Sequence, residues 1–250
     1  MKRKTTVVVG TFLMGCSLLA SQESAAYPER WPPFPADKPA PYPTLKAEPI
    51  VGYHAEFSPF EEAPVRIRTS PKQDGKGRVT EVLVSGRRIF DTQTAHPNAY
   101  FEFGSRVFYA DLTGDGLKDI LIYSYPGTVG LGSQEEIADL LIRRQNGSFQ
   151  HATFEAIYAD PADFVDVNGD GRFEMLWSYY YFEGNHSYWV YRVVEITDDG
   201  LRLNDALLAD FPKIIWFTEK PNDQPTQRLT LSERERLIRQ STARWQEVYR

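Results

Sequence analysis

The chain predicts a mainly β fold of antiparallel strands closed by one C-terminal helix, and three observations point there. Strand-like runs fill residues 50–220, namely VRIRT, VTEVLVSG, RRIFD, RVFYAD, DILIYSY, ADLLIRR, SYWVYRVVEI and KIIWF, with turn residues such as Gly86, Asn146-Gly147, Gly184-Asn185 and Asp199-Gly200 between them. Such spacing reads as an all-β meander. A nine-residue loop occurs twice, DLTGDGLKD at 111–119 and DVNGDGRFE at 166–174, and each runs straight into an apolar strand. The final stretch, LSERERLIRQSTARWQEVYR, has helical rather than strand periodicity.

The first 26 residues stand apart from this fold. Lys2, Arg3 and Lys4 precede an apolar run that ends in SQESAA, the charged, greasy and small-residue parts of a secretory signal. Cys16, the only cysteine, follows Leu13-Met14-Gly15 and resembles the lipidated cysteine of a bacterial lipoprotein signal. Plain cleavage near Ala26 suits the same residues, and both readings export the protein to a periplasmic or extracellular setting. Neither leaves a cysteine pair, so disulfides are not expected. Residues 28–49 then carry eight prolines, which favours an extended linker over residues 27–49, or a strap docked through Trp31, Phe34 and Tyr42.

At 250 residues, 42 % hydrophobic and 25 % charged, the chain is long enough for one well-cored domain. Without the first 26 residues it keeps 25 basic and 33 acidic residues, so nucleic acid and anionic lipid surfaces are poor partners. Any membrane attachment is expected through an N-terminal lipid alone. Residues 50–105 have fitting strands and no such loop, and are expected to form a third, degenerate unit of the domain over 50–230.

The two loops carry the chemistry. Oxygen side chains fall at positions one, three, five and nine: Asp111, Thr113, Asp115 and Asp119 in the first, Asp166, Asn168, Asp170 and Glu174 in the second. Hard oxygen donors in loose geometry select calcium over magnesium, which demands a tighter octahedron. Gly116 and Gly171 at position six supply the sharp turn. The position-seven carbonyls of Leu117 and Arg172 are expected as further ligands. Three carboxylates gathered around one point repel by about 4 kcal/mol per pair at ~4 Å and an effective dielectric of ~20, so an empty loop is strained. One such stretch also suits a plain Asp/Asn/Gly turn; two with the same spacing favour the metal. An EF-hand is excluded, because its twelfth-position acid is here Ile122 or Trp177.

With these loops in view, FGSRVFYADLTGDGLKDILIYSYPG at 103–127 resembles an FG-GAP repeat, also called a VCBS-type repeat. Phe103-Gly104 comes first, the loop begins with Asp111, and a strand follows. The copy at 158–180 keeps the loop and strand without the Phe-Gly start. The resemblance covers about residues 103–217 and implies four-stranded blades of a β-propeller, incomplete or small here because three units do not close a ring. It also implies calcium in the loop and a role in binding or adhesion at the cell envelope, with an envelope polysaccharide or protein as partner.

Residues 177–191, WSYYYFEGNHSYWVY, form an aromatic hairpin beside the second loop. Strands buried on both faces read this way, and so does a platform for sugar rings, which leaves an envelope hydrolase or carbohydrate-binding accessory protein as the alternative. Exposure of Tyr180, Tyr188 and Trp189 decides between them. The helix over 231–250 is expected to start on a capping box of Ser232 and Glu235 and to pack through Ile238, Trp245 and Tyr249. Catalysis is not expected. His54, His96, His151 and His186 stand isolated, there is no HExxH pair or GxSxG elbow, and GTVGLGS at 127–133 leads to no P-loop lysine.

Overall fold

Three successive four-stranded antiparallel meanders, stacked face to face, organise the chain. The structure is a computed structural model and describes residues 42–49, 56–60, 63–70, 78–97, 104–125, 135–157, 160–183, 186–209, 211–216 and 229–248. The expected export signal over 1–26 with Cys16, proline-rich residues 27–41, His54, Phe103, the 127–133 loop, the Gly184-Asn185 turn and Tyr249 lie outside the described residues.

Sheet one joins β2 (Glu56–Phe60), β3 (Ala63–Ser70), β4 (Arg78–Val84) and β5 (Arg87–Asp91) in sequence order, followed by the one-turn helix α1 (Thr92–Ala95). Sheet two joins β6 (Arg106–Ala110), β7 (Asp119–Ser124), β8 (Glu135–Arg143) and β9 (Phe149–Ile157), with β1 (Glu48–Pro49) added beside β6. Sheet three joins β10 (Phe164–Val165), β11 (Glu174–Glu183), β12 (His186–Thr197) and β13 (Gly200–Leu203). The twelve residues of β12 are long enough for β13 to pair with one end and β14 (Lys213–Trp216) with the other. The strands expected within residues 50–105 thus form a third four-stranded sheet.

Burial explains the sequence of β7. Ile120 and Ile122 face sheet one, in a layer with Val107, Leu141, Val65, Ile67, Val82 and Phe90. Their neighbours Leu121 and Tyr123 face sheet three, in a layer with Phe154, Phe164, Met175 and Trp177. Successive side chains of a strand point to opposite faces, so a strand covered on both sides must be apolar throughout. Every residue of β7 is accordingly buried.

The stack ends where its outer faces stop being apolar. On sheet one Arg68 and Arg88 reach across the outward face to Glu81, at 2.9 and 3.2 Å. Sheet three is covered instead. Leu208 packs on Val165, Leu176 and Val193, and the helix α2 (Leu231–Val248) brings Leu237 onto Tyr188, Val190 and Ile214. No closed barrel forms among the described residues.

Helix α2 packs through Leu237, Ser241 and Trp245, spaced four apart on one face, with Ile238 partly buried beside them. The Trp245 ring meets Trp177 edge-on at 5.2 Å. Arg192 ties the same face down: its Nε donates to Asp205 and its Nη1 to Ser241 and Thr242, at 2.7 to 3.0 Å. The capping box sits two residues earlier than the Ser232–Glu235 pair expected. Thr230 Oγ1 accepts from the Glu233 amide, and the Thr230 amide donates to Glu233. The chain turns helical at Leu231, which makes Thr230 the cap and leaves Ser232 inside the first turn.

Of the proline-rich stretch, residues 42–49 run as a strap along the inner edges of two sheets. Leu45 donates to the Phe164 carbonyl, Asp166 donates to Pro43, and Thr44 bridges Val165. A few residues on, β1 pairs with Phe108 and Tyr109 of β6.

Candidate metal centre

The two loops lie side by side at one end of the seam between sheets two and three, each leading directly into a buried strand. They share one hydrogen-bond scheme. The position-one carboxylate accepts from the position-six amide: Asp111 from Gly116 at 2.8 Å, Asp166 from Gly171 at 3.0 Å. Asp111 also takes the Asp115 amide at 3.2 Å, and Asp166 that of Gly169 at 2.7 Å. The position-five carboxylate accepts from the position-seven amide: Asp115 from Leu117 at 2.9 Å, Asp170 from Arg172 at 2.8 Å. The position-nine acid reaches back to the position-two amide: Asp119 to Leu112 at 2.8 Å, Glu174 to Val167 at 3.1 Å.

Both loops need left-handed backbone at the same places. Gly116 and Gly171 at position six each have φ +83°, as their position in the sequence predicts. Gly114 and Gly169 at position four, which the spacing argument passed over, are left-handed too, at +67° and +76°.

Asp119 is fully buried at the start of β7, and its second oxygen accepts the Arg143 amide of β8 at 2.8 Å. Burial pushes its carboxyl up to about 7, despite the lowering pull of the Arg143 and Leu112 amides, and the charges of Asp115 and Asp111 add to the rise. Glu174 is raised in the same way, first by burial and then by Asp170 and Asp166, against the Val167 amide. Each loop therefore holds a buried acid whose charged form is disfavoured by burial and by its neighbouring carboxylates.

Among the described residues no three acidic, histidine or cysteine side chains stand gathered as a preformed cage, because the carboxylates are turned onto loop amides. The donor set nonetheless fits a hard cation. All candidate donors are oxygens, and each carboxylate oxygen that accepts one amide keeps a second lone pair. The Thr113 hydroxyl, at position three of the first loop, is buried and has no hydrogen-bond partner among the described residues. A buried hydroxyl left unpaired costs about 1–3 kcal/mol, so this oxygen is a candidate ligand for a cation seated in the loop. Its counterpart Asn168 is exposed and bonds within its own loop, its Oδ1 to the Asp170 amide and its Nδ2 to the Asp170 carboxylate. Thr113, Asp115, Asp170 and Arg172 line one open cleft of about 650 Å³ between the loops, with Arg144 and Asp198 on its far wall. Arg144 donates to Asp198 at 3.0 Å and so latches the β8–β9 turn to the β12–β13 turn.

The loops also touch. A Cβ on Gly114 would lie 2.3 Å from the Gly171 carbonyl oxygen, and the Phe173 amide donates to the Leu112 carbonyl at 3.0 Å.

A second polar cluster escaped the sequence. His96 and His151, isolated in the chain, converge on Asp139 in the layer between sheets one and two. Their Nε2 atoms lie 2.9 and 2.8 Å from Asp139 Oδ1, and Thr153 donates to the same oxygen at 2.9 Å. Burial opposes ionisation of Asp139, but the hydrogen bonds from His151 and His96 outweigh it and hold the carboxyl below the usual carboxylate range. The available signal was Asp139 itself. In EEIADLLIR it occupies the same strand face as the core residue Leu141, and a buried acid requires partners.

In the aromatic hairpin, Trp177, Tyr188, Trp189 and Tyr191 are all at least 96 % buried, while Tyr179, Tyr180 and Tyr181 are half-buried. Two of the three rings that were to decide the matter, Tyr188 and Trp189, thus belong to the core and present no face to a sugar. Trp177 donates its indole N–H to the Glu155 carbonyl across the seam, at 2.8 Å.

Comparison with protein-family models, curated proteins and solved structures finds no match to this chain.

Proposed function

We propose that the chain is an exported calcium-binding protein whose three meanders are FG-GAP/VCBS-type units, and that it works in binding or adhesion at the cell envelope, not in catalysis. Asp111, Thr113, Asp115, Asp119 and the Leu117 carbonyl would hold one ion. Asp166, Asn168, Asp170, Glu174 and the Arg172 carbonyl would hold the other. Bound calcium would supply positive charge that offsets the carboxylates and would cross-brace each loop; its role is structural. The buried acids Asp119 and Glu174 would anchor the strand ends, and the exposed Asp115 and Asp170 would close over the ion. The repeat identity rests on the duplicated loop-then-strand pattern, and the binding role on the resemblance.

One observation carries the metal reading. Two segments 55 residues apart adopt the same donor spacing and closely matching internal hydrogen bonds, and one of them buries a hydroxyl that no described residue satisfies. Thermal melts in millimolar calcium and in chelator test it. If the sites bind near ~10 µM, mass action gives about 3 kcal/mol of stabilisation per site. Identical midpoints would overturn the reading.

A further inference from the structure

We propose that the two loops bind their cations cooperatively, each raising the other's affinity through the peptide that joins Gly171 to Arg172. This rests on the calcium reading above and adds a regulatory property to it.

The contact between the loops is unequal, and the inequality carries the argument. In the second loop, the stretch from Gly171 to Glu174 supplies the position-seven carbonyl and the position-nine acid. That stretch is fastened to the first loop at two points on either side of Thr113. The Phe173 amide donates to the Leu112 carbonyl, and the Gly171 carbonyl sits where a Cβ of Gly114 would be, with the Arg172 amide nitrogen 3.3 Å from the same position. Fixing positions two to four of the first loop therefore fixes the backbone that presents two ligands of the second. A ligand that orders a segment lets the next ligand bind without that ordering cost, which is positive cooperativity. Charge acts the other way, because a cation in one loop weakens the negative field at its neighbour. That effect is screened over a Debye length of ~8 Å at physiological salt, whereas a peptide contact is not.

Linkage requires the coupling to be reciprocal: silencing either loop must weaken the other by the same factor. Calcium titrations of the full chain by calorimetry, with wild type, D115N and D170N, measure both directions. The expected result is a loss of about fivefold or more at the intact loop, equal in the two variants and within the range typical of coupled sites. Gly114→Ala should abolish the coupling while both loops still bind, since its Cβ meets backbone that must move. Gly169→Ala is the matched control: it occupies the same loop position with the same left-handed backbone, but its Cβ has no neighbour within 4 Å. It should keep the coupling, and so separates the contact from backbone strain should Gly114→Ala fold poorly. Calcium bound at both loops of wild type, with the intact loop's affinity unchanged within twofold in D115N and in D170N, would overturn cooperativity and leave the calcium reading standing. No calcium heat in wild type would remove both.

Discussion

Replacing Asp139 with alanine should destabilise the protein by about 3–5 kcal/mol, the usual cost of removing one partner from a buried charged cluster. The figure can be worked from the contacts. Three donors converge on this carboxylate, and a hydrogen bond to a charged group contributes about 1.5–3 kcal/mol. The sum must be discounted, because the His151 side chain is 35 % exposed and water can replace its lost partner. The His96 side chain is only 11 % exposed and would keep a stranded ring nitrogen. Urea unfolding followed by tryptophan fluorescence would read the loss as a lower midpoint at unchanged slope. The effect also has a pH signature. The folded carboxyl titrates below its unfolded value, so its contribution is complete above the ordinary carboxylate pKa near ~4 and fades as pH falls through the lower folded value. The gap between wild type and Asp139→Ala should therefore be widest near neutrality and shrink on acidification below pH ~4. A loss under about 1 kcal/mol, or a gap that does not change between pH ~6 and ~3, would refute the assignment of Asp139 as the pin between sheets one and two.

Thr113→Val should leave stability in chelator unchanged or higher by up to about 1 kcal/mol, because it removes a desolvated hydroxyl without changing shape, while weakening calcium binding at the first loop. Unchanged calcium affinity by calorimetry would remove the argument from the buried hydroxyl. Asp170→Ala should cost more calcium affinity than Thr113→Ala, since only the former removes a charged ligand; equal losses would count against the ligand assignment. Trp245→Ala should cost about 3–5 kcal/mol by opening a cavity against Trp177 and the sheet-two/sheet-three layer. A melting midpoint that does not move in this variant would show that α2 is not held through this ring.

The loops were legible because calcium-type spacing is written in consecutive residues, and the apolar run of β7 because burial on both faces leaves no polar alternation to hide it. Other elements were harder to read for definite reasons. In β9 the buried positions are Ala152 and Phe154, alternating with His151, Thr153 and Glu155, and one small residue gives little hydrophobic contrast. Pro59 in β2 and the four residues of β13 carry weak strand signals. The His96–Asp139–His151 cluster joins residues 43 and 12 positions apart, a pairing made only by stacking one sheet on another. The loop-to-loop contact is of the same kind. Position-four glycines look alike in the sequence, and only the packing distinguishes Gly114, which is pressed against its neighbour, from Gly169, which is not.

The strap has a mechanical consequence. Any pull arriving from the N-terminal side of Tyr42 loads the packing of that ring on the Val165 cluster together with the Pro43 carbonyl, which is held by the amide of Asp166, the opening residue of the second loop. Tension is thus shared between sheet three and a candidate ion ligand. An ion seated in that loop would stiffen this attachment of the strap.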